Sequence, residues 1–453
     1  MTRRIFVSGI AAAAAMRPGA AAADGSAQMQ AILHRIQPPR FPGRTFDITR
    51  YGAKADGKTE ATEAIRKAID ACAAAGGGTV LAPAGTFLTG AIHLKSRINL
   101  HVAEGATLLF STDPKLYPIV YTRFEGTECM NYSPLIYAWE QTDIGVTGSG
   151  TLDGQAAQEN WWNWKRSTRL NPDADRKLLV SMGDKDVPVK DRVFGEGHYL
   201  RPNFFQPYRC TNVLIEDVNI RRSPMWELNP VLCRNVTVRN VKIDSHGPNN
   251  DGCDPECCTD TLIDGCEFST GDDCIAIKSG RNRDGRRVNV PCDGVIVRNC
   301  RMKDGHGGVS IGSEVSGGIR NVFVDNCRMD SPHLDRALRI KTNSYRGGTI
   351  ENINFANTTV GQVAQAVVDI DFFYEEGEGG PFRPVVHNVV VENVTSQKSR
   401  YALYLRGYAS DPISGVRIAN CRFENVAQPD VMEHVESVKL ENDTRNGEAM
   451  KMA

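Results

Sequence analysis

The chain has 453 residues, of which 41% are hydrophobic and 24% are charged, and its formal net charge is −1. This composition suits a soluble protein with an ample core. The balanced charge gives no bias toward nucleic acid, so we expect no nucleic-acid partner.

The first 23 residues have the features of an export signal. Two arginines precede an apolar stretch from Ile5 to Met16, and three small residues end at Ala23. The stretch is too short for a membrane span, which needs about 20 residues. We therefore expect a periplasmic or secreted bacterial protein with no membrane partner after cleavage, followed by a linker over residues 24–45. The paired arginines fit both an ordinary secretory signal and a twin-arginine signal.

A helix is predicted from about Thr59 to Ala75. Its apolar residues recur at helical spacing, and three glycines follow it as a stop signal. Such a helix can cover the open end of a solenoid and protect its edge. Further along, residues 155–209 contain three tryptophans and many charges and are too long for a simple turn, so we predict an inserted loop or flap there.

Beyond residue 210 a short sequence pattern, called the phrase below, recurs several times. It consists of alternating apolar residues, then Asn, Asp or Gly, then Cys, Val or Thr. It occupies residues 213–220, 236–243, 295–302, 322–329, 389–395 and 416–423. Period-two alternation indicates short half-buried strands, and a repeat of 20 to 30 residues indicates a solenoid. Leucines are not regularly spaced, which argues against leucine-rich repeats. The predicted fold is all-β, a right-handed parallel β-helix over residues 46–430, with a tail over 431–453.

Two residue types recur at fixed places in the phrase. Asparagines at one corner of successive coils are expected to form a hydrogen-bonded ladder, and they are Asn240, Asn299, Asn326, Asn393 and Asn420. Four cysteines are expected to be buried and stacked along the core, and they are Cys266, Cys300, Cys327 and Cys421. Five more cysteines between residues 253 and 292 leave open a local disulfide or a metal site, although no paired C-x-x-C favours metal. No cofactor is predicted.

Four short blocks within about ninety residues carry the chemistry. They are Asn249-Asn250-Asp251, Gly271-Asp272-Asp273, Gly305-His306-Gly307 and Arg339-Ile340-Lys341. Asp251 and Asp272 are 21 residues apart, close to one coil, so we expect equivalent positions on strands about 4.8 Å apart. Crowded carboxyl groups cannot all ionise without raising the pKa of at least one, which supplies an acid and a base for glycoside hydrolysis.

The other two blocks add a base and two cations. Glycines on both sides of His306 allow the backbone to approach a ligand, and the imidazole is expected to hydrogen-bond the acid and orient it. Arg339 and Lys341 alternate in one strand, so both side chains point to the same face. A guanidinium beside an ammonium favours a sugar that carries a carboxylate.

The four blocks together give the chain a specific resemblance, which is to polygalacturonases of glycoside hydrolase family 28. The family's Asn-Thr-Asp, Gly-Asp-Asp, Gly-His-Gly and Arg-Ile-Lys motifs match residues 249–251, 271–273, 305–307 and 339–341 in that order. The resemblance extends from about Phe46 to near Asn425. Only Asn250 departs from it, because the family usually has a threonine at this non-catalytic position.

The resemblance implies roles for the residues of the motifs. It implies that Asp272 is the general acid, that Asp251 and Asp273 jointly activate the water, and that His306 supports the acid. It also implies that Asn249, Arg339 and Lys341 bind substrate, the last two through a galacturonate carboxylate. The family also uses a tyrosine downstream, for which Tyr374 is the candidate and Tyr345 and Phe373 are competitors.

The implied reaction is hydrolysis of α-1,4-galacturonosidic bonds in pectic polysaccharide by an inverting single displacement. A carboxyl spacing of about 5 Å conflicts with the 6.5 to 9.5 Å typical of inverting enzymes, and here we follow the family. Residues 279–287 and the 155–209 region resemble exo-acting bacterial members, so exo action is preferred over endo action. The alternatives are hydrolysis of rhamnogalacturonan or a substituted galacturonan, a calcium-dependent pectate lyase, and a non-catalytic β-helix that binds sugar.

Overall fold

Successive coils of the chain stack into long parallel sheets. The computed structural model describes residues 20–451. Two sheets have 13 and 14 strands, and all their pairings are parallel except the last, between Thr444 and Ala449. The architecture is the right-handed parallel β-helix that the repeated phrase predicts.

We name three sheets by their strands. The flank sheet comprises Thr45–Asp47, Gly78–Ala82, Ile98–Val102, Thr142–Thr147, Thr211–Glu216, Arg234–Arg239, Thr259–Asp264, Cys292–Arg298, Ile319–Asp325, Thr349–Ala356, Val385–Glu392, Val416–Ala419 and Lys439–Glu441. The rear sheet comprises Asp56–Glu60, Gly85–Thr89, Ala106–Phe110, Thr151–Asp153, Asn219–Arg221, Lys242–Ser245, Glu267–Thr270, Arg301–Met302, Arg328–Met329, Thr359–Gln362, Thr395–Lys398, Arg422–Phe423, Thr444–Arg445 and Glu448–Ala449.

The third, the site sheet, is interrupted in the middle. Its strands are Ile92–His93, Ile136–Trp139 and Phe205–Tyr208 and then, after single-residue bridges at Leu228 and Cys253, Ile275–Ile277, Val309–Ile311, Arg336–Lys341, Ala366–Asp371, Tyr401–Arg406 and Val431–Glu433. Two small sheets lie outside these, one of Ile119–Phe124, Thr127–Tyr132 and Val193–Phe194, the other of Ile413–Ser414 and Val435–Glu436.

Five α-helices and three short 3₁₀ helices complete the fold. The α-helices are α1 (Ala20–Arg35), α2 (Thr62–Ala74), α3 (Trp161–Arg166), α4 (Pro172–Asp184) and α5 (Asn282–Val288), and the 3₁₀ helices are Ile48–Tyr51, Pro114–Leu116 and Val189–Asp191. Helix α2 is the predicted capping helix, and its apolar face is buried in the main core. Within residues 20–451, no helix is both long and apolar enough to cross a membrane.

The core follows from the alternation that marks the strands. In the flank sheet Val213 pairs with Val236, and two residues further along Ile215 pairs with Val238. All four side chains are fully buried. A slip of one residue would turn every such side chain to the other face, so the apolar pattern fixes the register between coils.

Asparagine ladders run along two corners of the coils. In the predicted ladder, Asn326 donates to Asn299 at 2.7 Å and Asn393 donates to Asn357 at 3.0 Å. Asn240 and Asn299 instead donate to aspartates of the preceding coil. The backbone at these asparagines is left-handed, with φ between 50° and 56°, a conformation that asparagine tolerates better than other side chains do.

The structure differs from the sequence-based boundaries at both ends. The segment predicted as a linker contains most of α1, whose Ile32 packs with Leu262, Ile296 and Phe323 on the outer face of the flank sheet. Arg35 also pairs with Asp260 at 2.5 Å. A helix forms because these apolar residues have a surface to cover. Residues 1–19 of the predicted signal lie outside the described part of the chain.

The predicted tail over 431–453 is also corrected. Lys439–Glu441 pairs with Val416–Ala419 in the flank sheet, and Thr444–Arg445 pairs with Arg422–Phe423 in the rear sheet. The β-helix therefore continues for one more coil, because unpaired backbone groups at the end of the solenoid gain partners.

The cysteines are structural. All 13 lie within residues 20–451, all are buried and none forms a disulfide, so the local disulfide that the sequence left open does not form, while the predicted burial of Cys266, Cys300, Cys327 and Cys421 is confirmed. Within residues 20–451 no group of cysteines comes close enough to share a metal ion.

Candidate active site

The three aspartates of the sequence motifs meet at the interruption of the site sheet. Cys253 and Ile275 pair there and are fully buried, which places Asp251 in register with Asp273. The predicted register of Asp251 with Asp272 is therefore wrong by one residue. The core-facing residues decide the pairing, and a one-residue slip would remove them from the core.

One carboxylate oxygen from each of Asp251, Asp272 and Asp273 lies within 4.8 Å of the other two. Asp251 and Asp273 are buried, whereas the side chain of Asp272 is 18% exposed. Burial and repulsion by Asp254 and Asp272 raise the pKa of Asp251 well above its ordinary value. The pKa of Asp251 therefore rises, as expected for crowded carboxyl groups, and burial is the larger cause of this rise.

Asp273 is held as a carboxylate by three donors. Ser310 Oγ donates to Oδ1 at 2.8 Å, Lys341 Nζ donates to Oδ2 at 2.6 Å, and an Arg339 nitrogen lies 3.4 Å from Oδ1. Burial alone would raise the pKa of Asp273, but Lys341 and Arg339 outweigh it and lower that pKa below its ordinary value. Asp273 is thus the most strongly stabilised anion of the three.

His306 contacts Asp272 from the exposed side. Its Nδ1 lies 2.9 Å from Asp272 Oδ1, and its backbone N–H donates to the Asp272 carbonyl at 3.0 Å. The hydrogen bond to Asp272 raises the pKa of His306. The neighbouring Gly307 leaves room for Ser310, whose Oγ donates to Asp273. A Cβ at position 307 would lie only 2.2 Å from this Oγ.

The two asparagines of the first block have different environments. Asn249 lines the pocket, and its Oδ1 accepts from Arg201 at 2.7 Å. Asn250 is fully buried and is hydrogen-bonded to Ser245 and to backbone groups of the preceding coil. It therefore holds the turn together and does not line the pocket.

Tyr374 is the aromatic residue that reaches the site. Arg339 and Lys341 lie 5.5 and 5.2 Å from its ring centroid. Of its competitors, Tyr345 is exposed and Phe373 packs edge-on against Tyr408, and neither lines the pocket.

Of the predicted site residues, Asn249, Asp251, Asp272, Lys341 and Tyr374 line a pocket of about 170 Å³ that is mostly polar. Its lining comprises Glu125, Lys165, Arg176, Trp226, Asn249, Asp251, Asp272, Lys278, Ser313, Glu314, Lys341, Tyr374 and Glu375. The pocket thus brings together acids, cations and two aromatic side chains, Trp226 and Tyr374, the kinds of groups that an acidic sugar and its hydrolysis require.

Two family models match the chain. The model described as glycosyl hydrolases family 28 matches residues 194–443, more than half of the chain, and one described as rhamnogalacturonase A/epimerase, pectate lyase-like matches residues 45–103. The chain belongs to glycosyl hydrolase family 28. As a member of this family it is a glycoside hydrolase.

Known family 28 relatives include both exo- and endo-acting enzymes. The crystal structure of an exopolygalacturonase from Thermotoga maritima is 43% identical, with a TM-score of 0.91, covering 94% of this chain and 97% of that one. An exo-poly-alpha-D-galacturonosidase of Dickeya chrysanthemi is 28% identical over 79% of this chain and 62% of its own length. An endo-polygalacturonase of Pectobacterium carotovorum is 28% identical over 80% of this chain and 83% of its own.

One wall of this family 28 pocket is built by charged side chains from separate segments. Arg176 of α4 hydrogen-bonds Glu125, in the turn of the Ile119–Tyr132 hairpin, and lies 3.0 Å from Glu375. Glu375 also accepts from Arg281 at 3.0 Å and from Arg346 at 2.5 Å. The inserted region around α3 and α4 is therefore tied to the site sheet.

Several residues of the pocket were missed by sequence reasoning. Lys278 is buried beside Asp251, Glu314 is buried beside Lys278, and Arg201 orients Asn249. The alternation of Ile275 and Ile277 with their neighbours was a signal for Lys278, because it places this residue on the outer face of the site sheet. No comparable signal existed for Arg176 or Glu125, since contacts between distant loops leave no local pattern.

Proposed function

We propose that this protein hydrolyses α-1,4-galacturonosidic bonds of polygalacturonate and acts from one chain end. The observation that carries the proposal is the convergence of three carboxylates within 4.8 Å beside the Arg339, Lys341 and Tyr374 cluster. The carboxylates supply acid and base, and the cations match a uronic acid rather than a neutral sugar. The family membership and the Thermotoga maritima relative support the same assignment.

In the proposed mechanism Asp272 donates a proton to the leaving oxygen. It is the most accessible of the three carboxyl groups, it lines the pocket, and His306 Nδ1 lies 2.9 Å from its Oδ1 and orients it. Asp273, an anion held by Lys341 and Arg339, and Asp251 together accept the proton of the attacking water. The water attacks the anomeric carbon as the bond to the leaving oxygen breaks.

We further propose a single displacement with inversion. The carboxyl spacing is below the 6.5 to 9.5 Å typical of inverting enzymes, and the proposal rests on the family together with a pair of bases that hold the water to one side of the acid. Proton NMR of the first product tests this assignment. Inversion releases the β-anomer first, and initial release of the α-anomer overturns it.

Exo action is supported by the wall that contains Arg176, Glu125 and Glu375. A wall on one side of the carboxylates leaves room for only a short part of the polymer there. The test is chromatography of products from polygalacturonate over time, with a chelator present. Galacturonate or digalacturonate alone at early times supports exo action, and a ladder of oligomers contradicts it.

The same experiment separates the other candidate functions. A pectate lyase would need calcium and would form an unsaturated product that absorbs in the ultraviolet. A sugar-binding protein without activity would form no product from any pectic polymer. Activity on rhamnogalacturonan or substituted galacturonan but not on polygalacturonate would change the substrate and keep the reaction.

We also propose that the chain is exported to the periplasm or out of the cell, where the enzyme would encounter pectic polymers. The support is the signal-like pattern of residues 1–23. Mass spectrometry of the mature protein expressed in a Gram-negative host tests this. A mature N-terminus at Asp24 is expected, and an uncleaved chain retained in the cytoplasm contradicts export.

A further inference from the structure

A buried ammonium lies beside one of the proposed bases. Lys278 Nζ is 3.6 Å from Asp251 Oδ2, 3.5 Å from Asp254 Oδ2 and 3.4 Å from Glu314 Oε2, and it lies 4.4 Å from the ring of Trp226. The side chain is only 3% exposed. Two carboxyl groups of one segment, Asp251 and Asp254, and a third from Glu314 therefore converge on one cation.

Asp251 depends on this contact more than its neighbours do. Its Oδ1 is buried without a hydrogen-bond partner, and within residues 20–451 Lys278 is the only cation within 4 Å of its carboxylate. Asp273, by contrast, contacts both Lys341 and Arg339. The acidic groups Asp254, Asp272 and Asp273 face Asp251 and oppose its ionisation.

The other two acids around Lys278 differ in charge at neutral pH. Burial raises the pKa of Asp254 to about 8, so below that pH this carboxyl is neutral. Burial would also raise the pKa of Glu314, but Lys278 and Arg281 lower it to about 2, so this group is an anion throughout. Near neutral pH Glu314 is therefore an anion beside the ammonium, while Lys278 opposes the burial and repulsion that raise the pKa of Asp251.

We propose that Lys278 is a positioning residue whose ammonium favours the carboxylate form of Asp251 and orients it for activating the hydrolytic water. The inference rests on the proposed hydrolysis and deepens it. A different role is direct contact with the substrate carboxylate, since Lys278 also lines the pocket. The two roles predict different kinetics, because the first acts on the pH dependence of the chemical step and the second on substrate binding.

Two substitutions test the proposal, because they should move the acid limb of the pH profile of kcat in opposite directions. Lys278→Met removes the cation, raises the pKa of Asp251 and moves the acid limb of the kcat profile to higher pH, by about 1 to 3 pH units. Glu314→Gln removes the competing anion and moves the same limb to lower pH. Lys303→Met is the matched control, because Lys303 is 57% exposed and pairs with Glu267 away from the pocket, and it leaves the limb in place.

The outcomes decide the proposal even if one variant fails to fold. An acid limb unmoved by Lys278→Met, or a rise in KM at unchanged kcat, overturns it. If Lys278→Met is unfolded by circular dichroism, the shift from Glu314→Gln decides alone, and a limb that stays or moves upward overturns the proposal.

A measurement without substrate separates this inference from the proposed function. Carbon-13 NMR of labelled aspartate side chains, with Asp251→Asn to assign the Asp251 signal, follows ionisation in the free protein. A higher titration midpoint for Asp251 in Lys278→Met supports the inference, and an unchanged midpoint overturns it. Absence of wild-type hydrolysis on polygalacturonate would instead count against the proposed function.

Discussion

The ammonium of Lys341 lies 2.6 Å from Oδ2 of Asp273, and both side chains are buried. This contact joins the last sequence motif to the second one. Lys341 was expected only to bind a substrate carboxylate, but it also stabilises a proposed base. In the proposed mechanism, substrate binding and water activation therefore share one cation.

Replacing Lys341 with methionine is expected to lower kcat as well as to raise KM. Without the ammonium the pKa of buried Asp273 rises, so the acid limb of the kcat profile moves to higher pH, by about 1 to 3 pH units. Steady-state kinetics on polygalacturonate across pH measures both effects. An equal rise of KM on a methyl-esterified substrate refutes the carboxylate-binding role, and an unmoved acid limb refutes the role toward Asp273.

Asp272→Asn is expected to remove nearly all hydrolysis and to leave the fold intact. General acid catalysis typically contributes a factor of about 10² to 10⁴. Product release from polygalacturonate and a circular dichroism spectrum are the two measurements. A variant that keeps more than about a tenth of the wild-type rate contradicts the assignment of Asp272 as the acid.

Arg176→Ala is expected to open the charged wall of the pocket. It removes hydrogen bonds that hold Glu125 and Glu375 in place, and hydrogen bonds to charged groups contribute about 1.5 kcal/mol or more to stability, so the wall should loosen and kcat/KM on digalacturonate should fall. Oligomers longer than two units should appear among the early products. Arg328→Ala is the control, because the Arg328 side chain is 64% exposed and its guanidinium lies 3.8 Å from Asp330 on the rear sheet. If both variants give the wild-type product pattern, the wall does not determine exo action.

Glu227→Gln is expected to stabilise the protein as pH rises. Glu227 is fully buried, neither carboxylate oxygen has a partner, and burial raises its pKa to about 8. The folded state keeps this proton while the unfolded state loses it above about pH 4.5, so stability falls between pH 4.5 and 8. Glutamine cannot ionise, and its gain should reach about 2 to 3 kcal/mol at pH 7 and vanish near pH 4.

Urea unfolding of wild type and Glu227→Gln at pH 4, 5.5, 7 and 8 measures this difference. Glu351→Gln is the matched control, since the Glu351 side chain is 31% exposed and pairs with His387 on the flank sheet. A difference between wild type and Glu227→Gln that does not grow with pH contradicts a buried proton on Glu227.

The sequence by itself determined the β-helix, its corner asparagines, the family and the set of reactive residues. Each leaves a local signal, because alternation, corner residues and short motifs depend on neighbours in the chain. Tertiary structure alone decided that Asp251 aligns with Asp273, that Tyr374 rather than Tyr345 reaches the site, and that Lys278 and Arg176 belong to it. These facts depend on packing between coils and loops, where a one-residue slip or a distant ion pair changes the site without changing any local pattern.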